Sequence, residues 1–292
     1  MRKLRSMITI LFIAAAVVCG LYIVKDKLSG RSDAPVITAE KDLITVSVKD
    51  KEKVLLKGLA AKDKEDGDLT EDIRVVSMSH FIKGSKRKVK YVVFDSSNQA
   101  GVYEREVQYK DYTSPRIYMK KALRYDVKEV TDVNLTDNMI AKDCLEGDLT
   151  NQIRCIFDEY VTTIERGDKR SLTVQVSNKA GDVCAIPVEV KIVDQTDADE
   201  RDKYYPILSD YIVYTKAGKK LNLRKYITGL EQNGTEYLYS EDRELAARTK
   251  SKIKVTGDVD YSKPGVYTLD YSYRSEGGSK AITKMYVVVE EK

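Results

Sequence analysis

The sequence predicts an all-β protein, three tandem β-sandwich domains behind one N-terminal transmembrane helix. Three observations carry that expectation. The phrase AKDKEDGDLTEDIR at Ala61 returns at Ala141 as AKDCLEGDLTNQIR, with nine of fourteen positions identical and an offset of 80 residues. Short β-branched and aromatic runs, each ended by an Asn/Gly cluster, recur in both copies, which is the pattern of strands and tight turns. An uncharged apolar run from Ser6 to Val24 opens the chain and has no counterpart later.

That first run is preceded by Arg2, Lys3 and Arg5 and closed by Lys25, Asp26 and Lys27. Its length is close to the ~20 residues that cross a hydrocarbon core. Residues 1–27 are therefore expected to be an uncleaved anchor, holding a single-pass protein in the cell membrane with its ectodomain outside the cytoplasm. The flanking cations are nearly balanced and orient the span only weakly. Two other readings stay open: a cleaved signal peptide, given the small residues Ala14-Ala15-Ala16 and Val18-Cys19-Gly20, and a lipid-modified Cys19. The formal charge of +4 belongs wholly to this segment, since 45 basic and 45 acidic residues follow it. A neutral ectodomain carries no electrostatic footprint for nucleic acid. The partners expected are a cell-envelope protein or glycan, and the membrane through the N-terminal helix alone.

A length of 292 residues suits two or three domains. Pro35-Val36-Ile37 is matched by Pro115-Arg116-Ile117, and Asn98-Gln99-Ala100-Gly101 by Asn178-Lys179-Ala180-Gly181, again 80 residues apart. A fixed period marks one structural unit per copy. The expected domains are 33–112, 113–194 and a divergent 204–292, with 195–203 a charged linker. Each is expected to hold its own core, so that loss of the third costs the others little.

Within a copy, Tyr91-Val92-Val93-Phe94 and Leu172 to Val176 each run into a turn cluster and out into another alternating stretch, which is a hairpin. In the third domain Pro264-Gly265 is expected at the centre of a type II turn, where proline presets φ and glycine takes φ > 0. Tyr267, Leu269, Tyr271 and Tyr273 then alternate. This domain lacks the acidic phrase and carries an insert, Glu231 to Lys252, whose segment SEDRELAARTK is expected to form a short helix.

Together these residues resemble the bacterial immunoglobulin-like (Ig-like) domains found in tandem on surface proteins, of the type first described from pesticidal crystal proteins. The family pattern joins an opening proline, the acidic phrase, a Pro-Gly-x-Tyr strand and a closing Asn/Gly turn. Ala61 to Thr70 and Asp95 to Gly101 carry it in the first domain, Ala141 to Thr150 and Asn178 to Gly181 in the second, and Val259 to Tyr273 in the third. The resemblance implies an Ig-like β-sandwich of about seven short strands per domain. The first two domains depart from it with KGSKRKVKY and ERGDKRSLTV where Pro-Gly-x-Tyr would stand.

Two chemistries fit the acidic phrase. In the first, preferred here, Gly67 and Gly147 supply φ > 0 and the flanking aspartates cap their own backbone amides, with Leu69, Ile73, Leu149 and Ile153 facing the core. In the second, Asp63, Glu65, Asp66 and Asp68 form a calcium site, four hard oxygen donors within six residues. The second copy keeps only Asp143, Glu146 and Asp148. No other cofactor is expected.

Cys144, Cys155 and Cys184 all fall in the second domain. Cys155 and Cys184 are expected to face the core, alternating with Ile153 and Phe157 and with Ile186 and Val188; a disulfide between them stays open, and Cys144 is the expected exposed thiol. His80 is the only histidine, and no hydrolase, zinc, Walker or dinucleotide pattern accompanies it, so no enzyme is expected. Two functions remain: a binding or adhesion protein presenting tandem domains at the envelope, or a structural spacer or accessory subunit of an envelope complex. The insert in the third domain favours binding, because a spacer needs only similar units.

Overall fold

The computed structural model describes residues 34–128, 135–157, 167 and 169–291, with positions 12, 15 and 17–19. The expected anchor, 1–27, lies almost wholly outside the described residues. Among the described residues no helix is long and apolar enough to cross a membrane. The chain divides into two compact units, Met1–Tyr112 and Thr113–Lys292.

In the first unit the strands are β1 (Val36–Ala39), β2 (Leu43–Val46), β3 (Leu59–Asp63), β4 (Gly67–Asp68), β5 (Arg74–Met78), β6 (Lys86–Phe94) and β7 (Ala100–Tyr109). They form two sheets, β1-β3-β4 and β2-β7-β6-β5. Period-two alternation turns Val89, Tyr91 and Val93 of β6 inward against Ile37, Ala61, Ile73 and Val107. One cation is buried with them. Arg105 stacks 5.3 Å from the Tyr91 ring, donates to Tyr91 Oη at 3.1 Å and to the Lys57 carbonyl at 3.0 Å, while Tyr91 Oη donates to the Leu55 carbonyl at 2.8 Å. Burial of a charge is tolerated here because its donors find acceptors. His80 is exposed just past β5.

The second unit repeats this plan twice. Its first half holds β8 (Arg116–Met119), β9 (Arg124–Asp126), β10 (Met139–Asp143), β11 (Gly147–Asp148), β12 (Arg154–Phe157), β13 (Lys169–Ser177) and β14 (Val183–Val193). Its second half holds β15 (Tyr205–Leu208), β16 (Ile212–Lys216), β17 (Ile227–Gln232), β18 (Thr235–Leu238), β19 (Lys254–Thr256), β20 (Gly265–Arg274) and β21 (Lys280–Glu290). The sheets are β8-β10-β11 with β9-β14-β13-β12, then β15-β17-β18 with β16-β21-β20-β19. In all three copies the first strand of the four-stranded sheet runs parallel to the last, β2 with β7, β9 with β14 and β16 with β21. These tandem sandwiches of three and four strands are consistent with the Ig-like fold.

Several expectations change. The turn after β6 is equivalent to the turn after β13 at an offset of 83, because both strands are nine residues long and begin at Lys86 and Lys169. Asp95, not Asn98, therefore stands where Asn178 does. Each accepts a backbone N–H through its side chain, from Gln99 at 2.7 Å and from Asp182 at 3.1 Å. The sequence match of NQAG to NKAG is a similarity of turn composition, out of register with the strands.

The expected type II turn at Pro264-Gly265 is also displaced. The turn spans Asp260 to Lys263, closed by the Lys263 N–H on the Asp260 carbonyl at 3.2 Å, and Gly265 opens β20 at φ 159°. That φ is close to extended, and the turn chemistry comes from Asp260, whose carboxylate accepts the Ser262 N–H at 2.9 Å. Phe157 is exposed rather than buried, 56% of its surface reaching solvent at the end of β12. Cys144, Cys155 and Cys184 are free thiols; Cys155 and Cys184 are half-buried against the core, and half-buried Cys144 donates to the Thr113 carbonyl at 3.0 Å.

The separate cores expected for the second and third domains are one. Ile117, Met119 and Ile186 belong to the same continuous apolar cluster as Tyr211, Tyr271, Met285 and Val287. The segment between the two domains is ordered around a short helix, α1 (Ala198–Arg201), whose cap Asp197 accepts the Asp199 N–H. Removing the third domain would strip apolar cover from the second.

Candidate functional site

The acidic phrase is a hairpin. β3 and β4 pair as Lys62 with Asp68 and Asp63 with Gly67, and Gly67 turns the chain at φ 80° with no atom within 4 Å of where a Cβ would stand. The turn is held by its own acids. Asp63 Oδ1 accepts the N–H of Glu65 at 2.8 Å and of Asp66 at 2.9 Å, and Asp68 Oδ1 accepts the Thr70 N–H at 2.9 Å. Thr70 Oγ1 in turn accepts the Ala61 N–H at 3.0 Å. The second copy repeats each bond: Asp143 with Leu145 and Glu146, Asp148 with Thr150, and Thr150 with Ala141. Gly147 stands at φ 81°.

The amides of Asp66 and Glu65 hold the Asp63 carboxyl below its ordinary range, and the side chain and amide of Thr70 do the same for Asp68. The spacing of Asp, Gly, Asp and Thr is thus a local hydrogen-bond code. Ile73 and Leu149 are 1% exposed, with Leu69 and Ile153 packed against the same cores.

The hairpin also clips the two sheets together. Asp66 accepts both the N–H and the hydroxyl of Ser96, at 2.6 and 2.9 Å, from the turn after β6. In the second domain Asn178 Nδ2 donates to Asp143 Oδ1 at 2.9 Å and the Lys179 N–H donates to Glu146. The acidic phrase and the closing Asn/Gly turn occur together because they bond to each other. Of the calcium candidates, Asp63, Asp66 and Asp68 are engaged by these donors. Among the described residues no group of three or more His, Cys, Asp and Glu is placed to hold a metal.

At the same place the third domain makes a different hairpin. β17 turns into β18 through Asn233 at φ 48° and Gly234 at φ 80°, the two left-handed positions of a type I′ turn. The longer hairpin leads into α2 (Arg243–Thr249), capped by Asp242, which accepts the Leu245 N–H at 2.8 Å. Within the insert Thr249 Oγ1 and Tyr239 Oη share a hydrogen bond of 2.8 Å, and at its end Arg224 donates to the carbonyls of Lys250 and Ile253 at 2.6 and 3.0 Å.

Between this insert and the sandwich lies a groove of about 350 Å³, lined by Tyr204, Gln232, Leu245, Arg248, Tyr273 and Glu276 among others. Tyr204 meets Tyr273 at 6.3 Å and Tyr237 at 6.5 Å between ring centres. Tyr237 is 40% exposed, while Tyr273 is nearly buried and its phenol pKa is pushed up by that burial. Among the described residues no ion pair or hydrogen bond engages the Arg248 guanidinium. Apolar ring faces beside an unengaged guanidinium are what a ligand with both CH faces and hydroxyls requires. Sequence reasoning pointed to the insert and missed Tyr204, whose role depends on contacts across about 70 residues of chain to Tyr273.

Residues 232–289, from the end of β17 to the end of β21, match the family of the Ig-like domain of bacterial surface proteins. No curated protein matches the chain. Among solved structures, the CBM51-2 and INT domains of Clostridium perfringens ZmpB, solved in complex with GlcNAc, are 19% identical over 52% of this chain and 26% of that chain, with a TM-score of 0.22. The M60 catalytic domain with CBM51-1 and CBM51-2 from the same protein is 15% identical over 90% of this chain and 31% of that one, TM-score 0.23. Mouse cadherin-23 EC22-24 is 11% identical over 89% of this chain and the whole of that one, TM-score 0.19. The chain spans about a quarter to a third of the ZmpB chains it matches.

Proposed function

We propose that the protein is a non-enzymatic binding or adhesion protein of the bacterial envelope, anchored through residues 1–27 with its Ig-like domains outside the cytoplasm. Its contact surface is the groove beneath the third domain's insert, and its partner is an envelope glycan. The observation that carries this reading is the groove lined by Tyr204 and Tyr273, one wall of which is an insert that the other two domains lack, largely within the residues that match surface Ig-like domains. Sugar rings stack on Tyr204 of the groove and on its exposed neighbour Tyr237, 6.5 Å away, and the groove's Arg248, Gln232 and Glu276 fix the hydroxyls. Full-length protein in detergent is expected to be retained by immobilised envelope glycan, and Tyr204→Ala and Tyr237→Ala are each expected to weaken retention about tenfold, as for an aromatic contact residue. Equal retention of both variants, folded by melting temperature, rules the groove out. Protease added outside intact cells is expected to digest residues 33–292 while a cytoplasmic control survives.

A spacer role has one observation in its favour. The second and third domains share a core, so this part of the array is stiff. A spacer would show no groove-dependent retention.

A further inference from the structure

The second domain's four-stranded sheet ends in an arrangement that its own stability does not call for. Lys169, Lys191 and Arg124 are direct cross-strand partners on β13, β14 and β9, so three cations share one rung on one face. Like charges opposite one another destabilise a sheet. Nor is the concentration compositional, because acidic and basic residues are equal in number beyond residue 27. Facing the rung, β21 of the third domain presents Lys280 and Lys284, four residues apart on one face, and Lys203 lies beside them. These six cations line a cleft of about 180 Å³, with Glu189 and Asp270 the only acids among its described lining residues.

Much of the charge is answered within the fold. Lys284 pairs with Asp270 at 3.0 Å, Lys169 with Glu189 at 4.0 Å, Lys203 with Glu200 at 2.6 Å, and Arg124 with Glu231. Among the described residues, two of these cations, Lys191 and Lys280, form no ion pair with a carboxylate. Lys191 donates to Tyr205 Oη at 2.6 Å and lies 4.9 Å from that ring, and its partial burial lowers its pKa. The Lys280 ammonium engages no other described residue by hydrogen bond or ion pair. The walls are fixed, since the Glu189 N–H donates to Tyr286 Oη at 2.7 Å and the two domains share a core. Such a cleft is formed before any ligand arrives, which lowers the ordering cost of binding.

We propose that this cleft binds an oxyanion, the phosphate or carboxylate group of an anionic envelope polymer, with Lys191 and Lys280 as its direct partners. The envelope origin of the anion rests on the function proposed above, whereas the oxyanion site itself does not. Calorimetric titration of the full-length protein in detergent with inorganic phosphate, glucuronate and glucose tests it. One saturable site for an oxyanion, weakened by added salt, and none for glucose are expected. Tighter binding of phosphate assigns a phosphodiester polymer, and tighter binding of glucuronate a uronic-acid glycan. Lys280→Gln and Lys191→Gln are each expected to weaken binding about tenfold, the loss of one charge-assisted hydrogen bond. Tyr204→Ala is expected to leave it unchanged, which separates this site from the groove. Because Lys191 also bonds Tyr205, a second reading uses wild-type protein: bound phosphate is expected to protect Lys191 and Lys280, but not exposed Lys64, from acetylation. Absence of saturable oxyanion binding, or full binding by Lys280→Gln, overturns the proposal.

Discussion

The phenol of Tyr214 sits astride the backbone of Ile117, accepting its N–H at 2.8 Å and donating to its carbonyl at 2.9 Å. Among the described strands β8 pairs only with β10, and at its other edge a side chain of the third domain stands where a strand would otherwise add. The Tyr211 N–H continues this cover on the Met119 carbonyl at 3.0 Å, and Arg116 forks onto Glu290 at 2.7 and 2.6 Å. The junction is thus both apolar and hydrogen-bonded.

Tyr214→Phe keeps the ring and removes the hydroxyl that both Ile117 groups bond. It is expected to destabilise the unit Thr113–Lys292 by about 1–3 kcal/mol, the penalty for unpaired buried polar groups. Denaturant unfolding of the full-length protein checks this, with the transition of the first unit as internal reference. An unchanged midpoint would mean that water replaces the phenol.

Buried phenols set an alkaline limit. Burial raises the pKa of Tyr286 to about 12, and it raises those of Tyr205, Tyr211, Tyr214 and Tyr271 as well. A raised pKa means that the fold prefers the neutral phenol. Its contribution is complete below the unfolded value near 10 and is lost as pH climbs through the folded value. For Tyr286 alone the loss reaches about 2–3 kcal/mol by pH 12. Stability measured from pH 8 to 12 is expected to fall from about pH 10, with the share of tyrosinate absorbance that belongs to the buried phenols appearing only as the fold is lost. A native protein whose tyrosines all titrate near pH 10 would contradict this. On the acid side, the lowered carboxyls of Asp63, Asp68 and Asp148 contribute above their ordinary values and lose that contribution as pH falls below about 4.

Asp95→Asn is expected to stabilise the first domain. Asn178 in the second domain accepts a backbone N–H and donates to Asp143, whereas Asp95 at the equivalent place has no amide to give and Asp63 Oδ2 is buried without a partner. Supplying the donor is expected to add about 1 kcal/mol. Thermal melts of wild type and variant decide it, and a lower melting temperature would refute the equivalence of the two turns.

Gly67→Val is expected to destabilise the first domain by about 1–2 kcal/mol through φ alone, since open space surrounds the missing Cβ. Gly67→Asn is expected to be milder, because asparagine enters the left-handed region more readily. Millimolar calcium is expected to leave the wild-type melting temperature unchanged. A rise with calcium but not magnesium, lost in Asp66→Asn with Asp68→Asn, would make the phrase a metal site.

What the sequence by itself determined lies within about ten residues of chain. Alternation in β6 and β13 fixes which side chains turn inward, and the Asp, Gly, Asp and Thr of each acidic phrase close their own hairpin. Such bonds form between neighbours, so spacing alone reports them. The tertiary structure decided the rest. It set the true register of 83 between the later strands, because a short insertion can be absorbed in a connection without changing the composition of a turn. It moved the turn before β20 to Asp260, where a side-chain cap competes with the Pro-Gly pair. It merged two expected cores and brought Tyr204 to Tyr273 and Lys191 to Arg124. A tyrosine or lysine looks the same in sequence whether it meets solvent or another domain, and only the packing of separate strands settles which.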